Sequence, residues 1–198
     1  MDNKQSINID SITSMYLQSL ATCSLLAELS NKKFLKSKYF KKLKFQNDYL
    51  KMILIKSSIG NPACMMMMLY GLLVIPYETT DVSGLNFTEI NNYINNISNE
   101  KPNSYKTTYK NENKETDGKN TNINYIDRIR NSVSHGRFEF EQEAKNFFVI
   151  FNDENMRDKN QHCSLKLKTE DVGRILEKLQ KLLFEYFINY QQSQIKVK

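Results

Sequence analysis

Only two histidines, His135 and His162, occur in the 198 residues. General acid or base catalysis near neutral pH therefore has few side chains to draw on. Each stands five residues after an arginine: Arg130 to His135 reads R-N-S-V-S-H, and Arg157 to His162 reads R-D-K-N-Q-H. An imidazole can move a proton, and a guanidinium presents a rigid cationic fork to an anionic oxygen. The duplication shows that the spacing alone discriminates little, so the surroundings have to separate the two. Arg157 lies in N-D-E-N-M-R-D-K-N-Q-H, a polar connection with no apolar period to set its geometry, which reads as a solvated loop. Arg130 lies in a helical pattern whose Ile126, Ile129 and Val133 face a core. Five helical residues advance by about 500°, so Arg130 and His135 point about 140° apart, flanking Asn131 and Ser134. One such pair does not close on a small target by itself. Two copies meeting across a two-fold axis could line one cleft with two Arg and two His.

The elements that must hold this helix follow from apolar spacing. Ile12, Tyr16, Leu20, Cys23 and Ala27 predict a helix over about 10–29, capped by Asp10 or Ser11. A second helical pattern has Leu35, Tyr39, Leu43, Leu50 and Ile53 or Leu54 as its buried side and ends at Gly60. Asn61 and Pro62 form a cap and first-turn pair for a nearly all-apolar run from Ala63 to Ile75, which is too short to span a bilayer and is stopped by Pro76. Its four consecutive methionines, Met65 to Met68, read as flexible core filling in preference to a partner groove. Thr88 caps a short helix using Ile90, Tyr93, Ile94 and Ile97.

Residues 98–120 contain no Leu, Ile, Val, Met or Phe and read as a mobile loop inside a single domain covering 1–198. The motif helix ends at Gly136, where a left-handed residue is wanted. The period then becomes two: Phe138 and Phe140, Phe147 to Phe151, and Leu165 and Leu167 mark three strands of an antiparallel meander. Thr169 starts a last helix with a stripe from Val172 through Ile175, Leu176, Leu179 and Leu183 to Phe187. The fold class is mainly α: a helical bundle of about six helices with a small antiparallel meander before the C-terminal helix.

Composition narrows the function classes. Three distant cysteines, Cys23, Cys64 and Cys163, encode neither a disulfide framework nor a zinc cage, and fit a reducing compartment. No apolar run reaches membrane-span length and the N-terminus lacks a signal pattern, so a soluble cytoplasmic protein with no membrane partner is expected. Residues 32–56 hold nine Lys and one Asp, a local +8 within a net charge of +6, which leaves −2 for the rest. Lys36, Lys41, Lys42 and Lys44 are candidates for RNA-backbone contact, though a solvated helix face has the same composition. Glu139, Glu141 and Glu143 alternate with phenylalanines as on an exposed strand face, and nothing is spaced to complete a hard-ion site with them. There is no phosphate-binding Gly-rich loop and no nucleophile elbow. No metal and no cofactor are expected.

The segment Ile129-Arg130-Asn131-Ser132-Val133-Ser134-His135-Gly136, followed by Arg137-Phe138-Glu139-Phe140, resembles the R-x4-6-H signature of HEPN domains. Tyr70-Gly71-Leu72-Leu73-Val74-Ile75-Pro76-Tyr77-Glu78 is similar to the segment preceding that motif in some stand-alone bacterial members. The resemblance covers residues 10–190 in layout and is specific over about 129–140. It implies a HEPN-like bundle and a metal-independent, dimeric endoribonuclease of antiviral-defence or toxin systems, with a neighbouring regulatory or antitoxin protein among its partners. Arg130 and His135 match the catalytic pair, Asn131 matches the polar residue after the Arg, and Ser134 is a supporting candidate. The chemistry is coherent: RNA carries its own 2′-hydroxyl nucleophile, and two chains supply a base, an acid and charge for the phosphorane. Two other readings stand beside it. Arg130 could pair with a nearby acid while His135 caps the helix end, and the chain could be a catalytically silent module of the same fold that binds RNA or a protein.

Overall fold

The computed structural model describes residues 11–30, 32–79, 85–100, 106–111, 114–116, 123–154 and 162–196. Helix α1 (Ser11–Leu29) buries Tyr16, Leu20 and Cys23 at helical spacing as expected. The second pattern does not form one helix. It breaks into α2 (Lys32–Leu35), α3 (Lys38–Lys42) and α4 (Asp48–Ser57). Side-chain caps make the breaks: the Ser37 hydroxyl accepts from the Phe40 N–H at 3.1 Å, and Asn47 Oδ1 accepts from the Tyr49 N–H at 2.8 Å. With the helical phase interrupted, most of the expected buried side is exposed: Tyr39 is 82% accessible, Leu43, Leu50 and Ile53 also face outward, and Leu35 and Leu54 are half-buried, while Phe40 is buried between Phe34 and Phe45. Lys51 Nζ ties α4 to the end of α3 by donating to the Lys41 and Leu43 carbonyls, both at 2.9 Å. The helix ends at Ser57, before Gly60, and Ser58 takes the positive φ of 67°.

Asn61 and Pro62 do start α5 (Pro62–Leu69), where Asn61 Oδ1 accepts from the Cys64 N–H at 3.0 Å. Met66 and Met68 are buried and Met65 is half-buried, whereas Met67 is exposed, so core filling describes three of the four. Pro76 does not stop the helix. A π-helical turn (Tyr70–Val74) intervenes, its Ile75 N–H reaching the Tyr70 carbonyl, and α6 (Ile75–Thr79) continues through the proline. The wider turn re-routes the backbone ladder just before the ring that has no N–H to contribute. Tyr77 is carried by this continuation.

Helix α7 (Thr88–Glu100) buries Ile90, Ile94 and Ile97, and Asn86 rather than Thr88 accepts the first-turn N–H. The expected loop at 98–120 also needs correction. It contains the end of α7 and two strands, β1 (Lys106–Asn111) and β2 (Lys114–Thr116). β1 pairs antiparallel with β5, from Lys106 opposite Lys166 to Lys110 opposite His162. A strand added to an existing sheet edge is held by its backbone and needs no apolar set of its own. The meander itself is as expected: β3 (Phe138–Glu143), β4 (Asn146–Glu154) and β5 (His162–Lys168) are consecutive and antiparallel in a sheet of order β2-β1-β5-β4-β3.

Helix α8 (Tyr125–Ser134) and helix α9 (Thr169–Lys196) pack against this sheet. Val149 and Phe151 of β4 lie opposite Leu167 and Leu165 of β5, all four buried. One core joins them to Ile126, Ile129 and Val133 of α8 and to Val172, Ile175, Leu179 and Leu183 of α9. Among the described residues no single helix is long and apolar enough to cross a membrane.

Candidate active site

Helix α8 displays the motif because its apolar period turns Ile126, Ile129 and Val133 inward and leaves Arg130, Asn131 and Ser134 half-buried at its flank. Its start is capped by Asn124, whose Oδ1 accepts from the Asp127 N–H. Its end is closed twice: the Gly136 N–H donates to the Val133 carbonyl at 3.2 Å and the Arg137 N–H to the Ser132 carbonyl at 2.8 Å. That six-to-one closure needs the left-handed residue that Gly136, φ 64°, supplies. The buried Ser132 hydroxyl donates to the Arg137 carbonyl at 2.6 Å, and the Asn152 N–H donates to the same carbonyl at 2.9 Å. The end of the motif helix is thereby tied to β4.

The expected residues are not all brought together. His135 sits at the helix C-cap, exposed. Its backbone N–H bonds the Asn131 carbonyl at 3.1 Å, and among the described residues no side chain bonds its ring. Among the described residues no hydrogen bond joins the imidazole to a carbonyl of the helix end, and the capping contact there is made by the backbone N–H. Ser134 donates its hydroxyl to the Asn131 carbonyl at 3.0 Å, back into its own helix. Lys36, Lys41, Lys42 and Lys44 are exposed in and around α2 and α3; α2 packs on α1, and the end of α3 is tied to α4 by Lys51. Arg157 lies outside the described residues, and His162 begins β5. Glu141 and Glu143 converge on Lys166 Nζ.

Arg130 is the organised member. Its Nε and Nη2 donate to Asn131 Oδ1 at 3.2 and 2.7 Å, and its guanidinium carbon stands 4.4 Å from the centroid of the Tyr77 ring. Among the described residues no carboxylate pairs with it. The nearby acids are otherwise engaged. Asp127 Oδ1 accepts from the Tyr77 hydroxyl at 3.1 Å, and its Oδ2 accepts from Asn124 Nδ2 at 2.6 Å. Asp153, buried at the core-facing parity of β4, accepts from Arg128 Nη1 at 2.8 Å and from Asn131 Nδ2 at 3.4 Å.

Tyr77, Asp127, Arg128 and Asp153 were not found from the sequence. Asp153 left one signal, a carboxylate two residues beyond Phe151 at the parity of a buried face. Asp127 and Arg130 left another, an i,i+3 pair able to share one neighbour.

Burial pushes the Tyr77 phenol up to about 12, helped by the charge and hydrogen bond of Asp127 and opposed by Arg130. The folded value is raised above the ordinary 10, so the stability that Tyr77 contributes is whole below pH 10 and drains away as pH climbs from 10 to 12. Urea denaturation across that window should show a steeper loss for the native protein than for Tyr77→Phe. Equal slopes would contradict the assignment.

A family model described as HEPN pEK499 p136 matches residues 1–190. No curated protein and no solved structure matches the chain.

Proposed function

The chain belongs to the HEPN family, and from that premise we propose that it is a metal-independent endoribonuclease whose reactive centre is completed by a second copy of the chain. The observation that carries the reading is Arg130: a guanidinium fixed on one edge and one face, with no counter-charge among the described residues, on the same helix as an exposed imidazole. A cation held in place without an anion is suited to receive one.

The reaction needs no bound nucleophile, because the RNA 2′-hydroxyl attacks the adjacent phosphorus. His135 of one protomer takes the hydroxyl proton, and His135 of the partner subunit gives a proton to the departing 5′-oxygen. The two Arg130 side chains balance charge on the phosphorane. The products are a 2′,3′-cyclic phosphate, or the 3′-phosphate from its hydrolysis, and a 5′-hydroxyl. One exposed His per chain at this site cannot easily serve the attacking 2′-hydroxyl and the departing 5′-oxygen at once, and this is the reason for two copies. The large apolar side chains that α4 leaves uncovered, Tyr49, Leu50, Met52, Ile53 and Ile55, are of the kind a second subunit buries. The biological setting that fits is antiviral defence or a toxin system, in which a neighbouring regulatory or antitoxin protein would restrain the nuclease, and the lysines around α3 would meet the RNA backbone.

The test is incubation of purified protein with end-labelled RNA in excess chelator, with sedimentation of the same sample. A dimer leaving cyclic-phosphate ends is expected. A strictly monomeric protein, or cleavage only with Mg²⁺, would defeat the proposal. Retention of uncut RNA by the dimer would favour the silent binding module of the same fold.

A further inference from the structure

Arg130 has a longer line of support than its motif neighbour. Asn131 Oδ1 engages the Nε and Nη2 edge, and the Tyr77 ring covers one face. Each of those supports is itself fixed from another element. The Tyr77 ring, on α6, is stacked on Phe87 at 5.9 Å, and its hydroxyl donates to Asp127, which Asn124 holds in turn. The Asn131 amide is oriented by Asp153 on β4: a carboxylate only accepts, so Asn131 must give it the NH₂ group and turn its oxygen toward Arg130. Asp153 is in turn located by Arg128 and by its register opposite Cys163.

The charges are sorted by this chain of contacts. Arg128 neutralises Asp153, and the amide of Asn131 is a neutral spacer between that carboxylate and Arg130. Along the Asn131 arm position passes without negative charge; on the Tyr77 arm the Asp127 carboxylate bonds the phenol and Asn124, not the guanidinium. With Tyr77 kept in its neutral phenol form at working pH, the ring offers its π face without becoming a counter-ion. Arg130 is left with its Nη1 hydrogens unengaged among the described residues and with its four side-chain torsions already restrained.

We propose that Tyr77 and Asp153, from α6 and β4, are positioning residues that hold the Arg130 guanidinium in a fixed plane, with no carboxylate bonded to it among the described residues, so that its free edge receives a phosphate oxygen. This rests on the reading of Arg130 as the phosphate-binding group of the nuclease. Tyr77 acts through the ring face, and Asp153 acts through Asn131. Neither touches the substrate. Prior restraint of a long side chain removes ordering that the bound phosphate would otherwise have to impose.

The experiment follows the Arg130 Nε–Hε resonance in the ¹⁵N-labelled full chain, assigned by its loss in Arg130→Lys, together with RNA cleavage by the same samples. The native protein should show slow exchange of that proton. Asn131→Ala and Asp153→Asn should raise the exchange rate by about tenfold or more, as should Tyr77→Leu, while Tyr77→Phe, which keeps the ring, should stay near native. Cleavage should fall mainly in kcat for the first three variants and recover in Tyr77→Phe. Asn131→Ala, on the half-exposed flank of α8, keeps the test open if Asp153→Asn or Tyr77→Leu does not fold. Native exchange in Asn131→Ala, or in Tyr77→Leu that melts like the native protein, overturns the proposal. If exchange responds as stated and the native protein cuts no RNA, the clamp stands and the nuclease reading falls.

Discussion

Replacing His135 by alanine is expected to lower RNA cleavage by about 10²-fold or more while moving the melting temperature by no more than about 1 °C. The separation of the two effects comes from the place of the ring. It is exposed, no described side chain bonds it, and the structural work at that position is done by the backbone N–H, which alanine keeps. The backbone there, φ −100° and ψ 4°, suits any residue at a helix end. Substitution of the second histidine, His162, should leave the rate near native, since it begins β5 and is not carried by the helix that bears Arg130. Gel analysis of end-labelled RNA beside a calorimetric scan reads both quantities. Full cleavage by His135→Ala would remove the imidazole from the mechanism. A large fall in melting temperature would show that the ring has a structural partner.

Ile126→Ala should show the reverse pattern, with a loss of about 3 kcal/mol of stability and a melting temperature lower by about 6–12 °C. Ile126 is completely buried, on the opposite side of the same helix, inside the core that joins α8 to β4, β5 and α9. Its truncation removes apolar contacts and leaves a space that the close-packed surroundings fill only in part. Its backbone N–H still donates to Asn91 Oδ1 at 3.1 Å, so the start of the helix keeps its anchor to α7. At temperatures where the variant is folded, cleavage per folded molecule should equal the native value. Denaturant titration measures the first quantity and active-site-normalised rates the second. A variant as stable as the native protein would mean that α8 does not pack where the structure puts it.

The contrast between these two residues reflects what could be read in advance. Ile126, Ile129, Val133 and Gly136 are separated by helical intervals and end at a glycine, and the helix they describe is present with its closure. The alternation around Phe138, Phe147 and Leu165 likewise gave the meander, because a two-residue period has one simple realisation. Where the period was long but interrupted by polar caps, the reading failed. Ser37 and Asn47 break residues 32–57 into three helices and shift the phase, so that Phe40 goes inward and Tyr39 outward. Strands β1 and β2 carried no signal, since what recruits them is the edge of another element.

Sequence alone was enough for the local chemistry: which helix bears Arg130, Asn131 and His135, which of its sides is apolar, and how it ends. Local order suffices there because hydrogen-bond closure and apolar spacing act within one or two turns. Tertiary structure decided the electrostatic state of Arg130. Tyr77 and Asp153 are 53 and 23 positions away along the chain, and no short-range pattern links them to it. Only the packing of α6 and β4 against α8 puts a ring on one face of the guanidinium and, through an amide, a neutralised carboxylate behind its edge.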